Sequence, residues 1–433
     1  MNKTLSLCII AKDADKDIRQ CLESVKGLVD EIVLIDTGST DSTKKIALEY
    51  GAKVYDYLWQ NDFSDARNFS LSKVNTDWVL ILDSDEILKG EKENLKEIIN
   101  ADYNGKTPIF FIDILTFTDK NNEEYSYYQK KIRLFPKNQN IKFEYSIAEE
   151  ITHPEGIGNL ISLEAKGLVI KHFLEGGPKG KSQRNVPILK RELKKNPKAF
   201  YYNYLMGKEC LQHGFLVKAF TAYQNALKSE DEKESFYLAE ICTDLIKILY
   251  KQGNREEALN ECLRREKICE NNPDYWLTYG YLAIKEGDFK RAEKCLLRAM
   301  EINPPAHLVL VNVDAITWKP ELLLGYTYLM LKDYNNAKLY LEKAVEHNDS
   351  NWLLLYYLGV VCKNLKDYSS SEAYFKAATI IAPPGHIEEL KFSLLLMLIM
   401  GGRFDKANDL VQSMVEKLAV DKDENISLSY DLF

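Results

Sequence analysis

Two aspartates separated by one residue, Asp83-Ser84-Asp85, close the apolar run Trp78-Val79-Leu80-Ile81-Leu82. In extended chain, residues two apart point to the same side, so the pair is expected to converge. Two hard oxygen ligands suit Mn2+ or Mg2+, and either ion can bridge the phosphates of a bound diphosphate. On a surface loop the same pattern is common and uninformative; at the end of a buried-type strand it is a strong signal.

A second acidic position precedes it. Asp36-Thr37-Gly38-Ser39-Thr40-Asp41-Ser42-Thr43 follows the run Glu31 to Ile35 directly. A carboxylate there can accept the imide proton of a base, while the Ser/Thr-rich stretch starts a helix. The plainer alternative is that Asp36 and Asp41 only cap that helix. Between the two acidic motifs lies Asn61-Asp62-Phe63-Ser64-Asp65-Ala66-Arg67-Asn68, where Arg67 could pair with a phosphate, hold Asp65 and Asp85, or make an ordinary helix-surface ion pair. Farther on, His172 follows Leu168-Val169-Ile170-Lys171 and would sit at another strand end. A lone histidine is more often structural than ligating, but Lys181 and Arg184 nearby add a cationic segment able to contact a diphosphate.

These side chains need a scaffold, and the hydropathy pattern supplies one. The runs Leu5 to Ile10, Glu31 to Ile35, Lys53 to Tyr55, Trp78 to Leu82 and Ile109 to Ile114 read as strands, with helices at Ile18 to Val25 and Thr43 to Tyr50 between them. Alternation of this kind predicts an α/β, Rossmann-like domain with a mostly parallel sheet covered on both faces. Ligands of such sheets sit at the carboxyl ends of the strands, where the acidic motifs fall.

From about Asn196 the period changes. Gly207, Ala219, Tyr223 and Ala226 share their spacing with Gly280, Ala292, Leu296 and Ala299, and with Gly325, Ala337, Leu341 and Ala344. Gly359, Ser371, Phe375 and Ala378 repeat it with Ser in the first Ala slot, and Ala258 and Ala407 anchor two weaker copies. The pattern resembles the tetratricopeptide repeat, a helical hairpin in which small residues let two helices approach. About six repeats are expected, with an insertion around Pro305 to Trp318 and helix stops at Pro304 and Pro383. An all-α solenoid over residues 191–433 would then follow an α/β domain over 1–190.

Size and charge narrow the function. A chain of 433 residues exceeds what one core normally organises. The 57 basic against 65 acidic side chains leave −8, which disfavours nucleic acid as a partner. No stretch reaches the ~20 apolar residues of a membrane span, and the N-terminal run is too short for a signal peptide, so a cytoplasmic protein is expected. The eight cysteines form no Cys-x-x-Cys pair and read as buried thiols.

Taken together, Ser6 to Ile10, Cys21 to Val25, Asp36 to Thr43, Asp62 to Asn68 and Asp83 to Glu86 resemble the inverting family 2 glycosyltransferases of the GT-A fold, in the subgroup with appended tetratricopeptide repeats. Within that subgroup the chain looks most like the peptide S-glycosyltransferases that modify cysteine in glycocin bacteriocins. The resemblance implies that Asp36 binds uracil, that Asp83 touches ribose or metal, and that Asp85 and His172 hold the metal. It also implies Arg67 near the diphosphate and Arg133 near the donor or acceptor cleft. Relatives usually carry His-Glu where this chain has Ala148-Glu149-Glu150, so an imidazole beside the reaction centre is missing.

The expected chemistry is transfer of a hexose from a UDP-sugar, assisted by Mn2+ or Mg2+, with Glu149 as base and Glu150 in reserve. A Cys-containing peptide is the expected acceptor, engaged by the repeats, and the repeats could also pair two copies of the chain. A thiol, with a pKa of about 8.5, is already a few per cent thiolate at neutral pH and leans less on a base than a hydroxyl does. Two rivals stand beside this: transfer to an envelope polysaccharide or to a protein Ser/Thr, and a repeat adaptor whose first half no longer catalyses.

Overall fold

A computed structural model describes residues 3–117, 127–137, 141–152, 160–173, 178–230, 235–302 and 311–420. The chain divides into two compact units. The first comprises Met1–Asn254 with Lys267–Cys269 and Pro304–Val313; the second comprises Arg255–Glu266, Glu270–Asn303 and Asp314–Phe433.

The first unit begins with the expected alternation: β1 (Leu5–Ala11), α1 (Ile18–Ser24), β2 (Glu31–Asp36), α2 (Thr43–Glu49), β3 (Lys53–Asp56), α3 (Phe63–Lys73) and β4 (Trp78–Ile81). There follow β5 (Glu86–Lys89), α4 (Lys92–Asn100), β6 (Thr107–Phe117), β7 (Tyr127–Pro136), β8 (Lys142–Glu144), β9 (Glu150–Thr152) and β10 (Leu160–Phe173). The main sheet runs β3-β2-β1-β4-β7-β6-β10-β5. Its first four strands are parallel, in keeping with the apolar runs of β1, β2 and β4. Beyond β4 the sheet is mixed rather than mostly parallel: β7 is antiparallel to β4 and β6, β10 is parallel to β6, and β5 is antiparallel to β10.

Both faces are covered. On one, Leu5, Leu7, Ile9 and Leu80 pack with Ile18, Leu22, Ile46, Leu95 and Ile99 of the helices. On the other, Cys8, Val33, Val79 and Ile81 pack with Val74, Phe69 and Leu71 around α3. The same unit continues with α5 (Pro178–Lys195), α6 (Phe200–Gln212), α7 (Leu216–Leu227) and α8 (Ser235–Lys251).

After α9 (Arg255–Cys269) come α10 (Pro273–Lys285) and α11 (Phe289–Glu301). The expected insertion lies partly outside the described residues, as does the Pro304 stop. Its described end, β11 (Val311–Asn312), pairs antiparallel with β7. The remaining helices are α12 (Trp318–Met330), α13 (Tyr334–His347), α14 (Trp352–Asn364), α15 (Tyr368–Ile381), α16 (Ile387–Met400) and α17 (Phe404–Val420). They pack as consecutive hairpins, α10 on α11, α12 on α13, α14 on α15 and α16 on α17.

The small residues explain the packing. A Cβ on Gly280, Gly325 or Gly359 would lie 2.7, 2.4 or 2.8 Å from the side chain of Leu296, Leu341 or Phe375, and one on Gly207 would lie 2.2 Å from the Tyr223 ring. Glycine on one helix is therefore the socket for the large residue sixteen positions later on the next. Asp288, Asp333 and Asp367 cap α11, α13 and α15 by accepting a backbone N–H three residues on. No disulfide joins the eight cysteines, and all but Cys210 are buried. Burial pushes the Cys8 thiol up to about 12. Among the described residues no helix is long and apolar enough to cross a membrane.

Candidate active site

The carboxyl edge of the parallel strands carries the acidic motifs. Asp36 ends β2 beside Ala11 of β1, and its carboxylate is 1% exposed. It accepts the N–H groups of Gly38 at 3.1 Å and Ser39 at 3.1 and 3.2 Å, with Lys44 Nζ 3.8 Å away. Gly38 has φ +104°, a conformation that favours glycine. Asp41 accepts from the Thr43 N–H at 2.9 Å, at the start of α2. The two acids thus divide the work: Asp41 serves the helix end, and Asp36 holds the turn at the sheet edge.

The Asp83–Asp85 segment is not extended. A turn closed by the Glu86 N–H on the Asp83 carbonyl at 3.1 Å sends the two carboxylates to different partners. Asp83 receives Arg67 Nη2 on one oxygen and Arg133 Nη2 on the other, the latter at 3.2 Å. Arg67 Nε also donates to Glu149 Oε1 at 2.9 Å, and Arg133 Nη2 to Glu86 Oε1 at 2.6 Å. The result is a ladder of alternating charge, Glu149–Arg67–Asp83–Arg133–Glu86.

Burial would push Asp83 up, but the guanidiniums of Arg133 and Arg67 hold it well below the ordinary carboxylate range. Glu86, 2% exposed, is instead raised, because burial outweighs Arg133 and Asp83 adds repulsion. Burial would lower Arg67, yet Asp83 and Glu149 raise it. Arg67 Nη1 and Arg133 Nε are buried and have no hydrogen-bond acceptor among the described residues.

Asp85 faces His172. Its Oδ2 is 3.3 Å from His172 Nε2, and the other ring nitrogen is 3.4 Å from Thr116 Oγ1. The strand register brings them together, since His172 of β10 pairs with Glu86 at the start of β5 and with Thr116 of β6. Among the described residues no group of three His, Cys, Asp or Glu side chains forms a ready-made metal cage. An imidazole and one carboxylate in contact fit a divalent ion that takes its remaining ligands from substrate phosphate and water. Asp83, with both oxygens on arginines, fits an orienting role beside such an ion.

Arg184, on α5, lies over the Phe63 ring at 4.7 Å; burial lowers its pKa, and Asp83, Glu149 and Asp85 oppose that shift. Lys181 lies in the same helix, but its side chain is outside the described residues.

The segment holding Glu149 is gripped from several sides. Ser146 Oγ donates to Asp62 Oδ2 at 3.0 Å, and the Ser146 carbonyl accepts the Phe63 N–H at 2.9 Å. The Ser146 N–H donates to the Tyr202 hydroxyl at 3.0 Å, and Tyr145 lies 4.2 Å from the Tyr201 ring. Ala148 has φ +50°, in the left-handed region, and its carbonyl accepts from the Tyr201 hydroxyl at 2.7 Å. Glu150 starts β9, accepts from the Tyr237 hydroxyl, and lies 3.4 Å from that of Tyr201. Burial raises its pKa.

Tyr201 and Tyr204 thus pack in a buried cluster of the first unit. Sequence reading assigned no role to Glu86, and Tyr237 gave no signal at all. Glu86 could have been found from its place immediately after the Asp-x-Asp pair.

The chain thus combines a Rossmann-like sheet that carries acids at its carboxyl edge with helical hairpins that have Gly sockets. Residues 6–155 match the Glycosyl transferase family 2 model, and 273–305 and 322–386 match Tetratricopeptide repeat models. The chain carries an N-terminal family 2 glycosyltransferase domain and C-terminal tetratricopeptide repeats.

Among curated relatives it is similar to a TPR repeat-containing protein of Synechococcus elongatus, 29% identical over 273 residues, covering 59% of this chain and 64% of that one. It is similar also to an uncharacterized glycosyltransferase of Rickettsia typhi, 33% identical over 138 residues, 31% of this chain and 47% of that one. The SPbeta prophage-derived glycosyltransferase SunS of Bacillus subtilis is 27% identical over 213 residues, 48% of this chain and 49% of that protein. The chain therefore spans less than two thirds of the length of these relatives.

Proposed function

We propose that the chain transfers a hexose, with inversion, from a UDP-hexose to the thiol of a Cys-containing peptide. The observation that carries the reading is the meeting of Asp85 with His172 at the edge where Asp83 is fixed by Arg67 and Arg133. Charge supports a divalent cation there. Within the ladder three carboxylates face two guanidiniums, and Asp85, which faces His172, adds a further acid, so a cation held at Asp85 would offset the local negative charge that a diphosphate meets there. Asp85 and His172 would hold Mn2+ or Mg2+. When bound, the cation offsets the charge that develops on the departing UDP.

The remaining work falls to the chain. Asp36, at the end of β2, would accept the imide of the base, and Arg184 would add positive charge on the diphosphate side. Glu149, fixed through one oxygen by Arg67, takes the acceptor proton through the other as the nucleophile attacks opposite the leaving group. The Ala148 position lacks the imidazole of relatives, and a thiol acceptor tolerates that loss better than a hydroxyl would. The likeness to glycocin S-glycosyltransferases favours the same acceptor.

The test incubates the full chain with UDP-glucose, Mn2+ and a Cys-containing peptide, and follows UDP release and a hexose mass shift. Asp85→Asn should abolish the Mn2+-dependent rise in melting temperature caused by UDP. Absence of both UDP release and mass shift with every common UDP-hexose would sink the proposal, and equal transfer to a Cys→Ser peptide would move the acceptor to hydroxyls.

A further inference from the structure

The first repeat helices contribute side chains to the transferase unit, at the segment between β8 and β9 that carries Glu149. Tyr201 on α6 and Tyr237 on α8 come from outside the family 2 region, which ends at residue 155. Their rings lie 5.4 Å apart in an edge-to-face arrangement, and both are buried. Tyr237 donates to the Glu150 carboxylate, and Tyr201 donates to the Ala148 carbonyl at 2.7 Å. Glu149, between those two anchored residues, reaches the other way to Arg67 at 2.9 Å.

Glu150 is thus held on the tyrosine side while Glu149, one residue earlier, is held on the side of Arg67. The left-handed φ at Ala148, strained for a residue with a Cβ, is a conformation that needs such outside support.

We infer that Tyr201, Tyr237 and Glu150 are positioning residues that set Glu149 for proton transfer, so that the first repeat helices are a working part of the transferase and Glu150 is not a second base. The inference rests on the transferase reading for its catalytic consequence and on geometry alone for the grip. A displacement of about 1 Å at a reacting group can cost on the order of 100-fold in rate, which sets the scale.

The experiment compares wild type with Tyr201→Phe/Tyr237→Phe, Glu150→Gln and Glu150→Ala in the full chain. Hydrogen exchange over residues 145–152 is measured without donor, and kcat and KM for UDP-hexose turnover are measured with Mn2+. In the double phenylalanine variant kcat should fall roughly 10- to 100-fold with the donor KM within about twofold, while exchange in the segment speeds up at least about tenfold. Gln still accepts the tyrosine hydroxyl, so Glu150→Gln should keep kcat well above that of Glu150→Ala.

Wild-type exchange or wild-type kcat in the double variant overturns the inference. So does a Glu150→Gln variant as inactive as Glu150→Ala, the result expected of a base. If the wild type releases no UDP from any UDP-hexose, the transferase reading has failed by itself, and the exchange measurement still decides the grip.

Discussion

Replacing Arg67 by methionine tests the charge ladder at its centre. Methionine keeps most of the apolar stem, so the packing of α3 is largely spared and the loss is electrostatic. Two charge-assisted hydrogen bonds go, one to Asp83 and one to Glu149. Each is worth about 1.5–3 kcal/mol, and removing one partner of a buried pair costs about 3–5 kcal/mol. The Asp83 side chain is 43% exposed and keeps Arg133 at 3.2 Å, so screening discounts its share and the expected destabilisation is about 2–3 kcal/mol. Urea unfolding followed by tryptophan fluorescence would read it, since Trp59 and Trp78 both lie in the first unit. Glu149→Gln and the double variant complete the cycle, with a coupling energy of about 1–3 kcal/mol expected for groups in direct contact. Were Arg67 a diphosphate ligand instead, Arg67→Met would weaken UDP affinity and leave folding nearly untouched. A stability loss under about 1 kcal/mol, or strict additivity with Glu149→Gln, refutes the ladder as a structural unit.

Gly325→Ala gains up to about 1 kcal/mol of helix propensity but drives a Cβ to 2.4 Å from Leu341 Cγ, so a net loss of about 1–3 kcal/mol should appear in the calorimetric transition of the second unit; an unchanged or raised transition would contradict the socket. Burial opposes ionisation of Glu31, but Lys53 at 2.6 Å, Ser6 and the Asn75 N–H lower its pKa from 4.5 to about 2. Because the folded value lies below the unfolded one, the stabilisation is complete above about pH 4.5 and fades as pH falls toward 2. With Lys53 half exposed, screening leaves roughly 2 kcal/mol at neutral pH, so the stability gap between wild type and Glu31→Gln should narrow from about that figure at pH 7 to under about 1 kcal/mol at pH 3. A gap that stays constant across this range would assign the stabilisation to some other group.

What could be read from the chain before the structure, and what could not, divides along the distance between partners. β1, β2 and β4 were legible because strands buried on both faces must be apolar at nearly every position, and the Gly-to-Leu or Gly-to-Phe sockets were legible because they recur at a fixed offset within one hairpin. β7 was missed because Gln129, Lys130 and Lys131 interrupt its apolar character. β10 was seen only at Leu168–Ile170 because Glu164 and Lys166 break its pattern. Asp83 and Asp85 were expected to converge because a period of two was carried one residue too far. Glu86 closes the chain into a turn there, and each carboxylate then meets its own distant cation or imidazole: Arg67, Arg133 or His172.

Glu150 and Tyr237 are 87 residues apart and belong to elements with unrelated periodicities, so no local pattern could pair them. The ladder draws its members from four separate segments, α3, the turn into β5, β7 and the stretch before β9, so the edge that would meet the sugar diphosphate is assembled by the completed fold rather than by the Asp-x-Asp motif itself. A fragment ending at residue 155 would keep that motif, Arg67 and Arg133. It would lose His172, Arg184, Tyr201 and Tyr237, and with them the imidazole facing Asp85 and the anchors of Ala148 and Glu150.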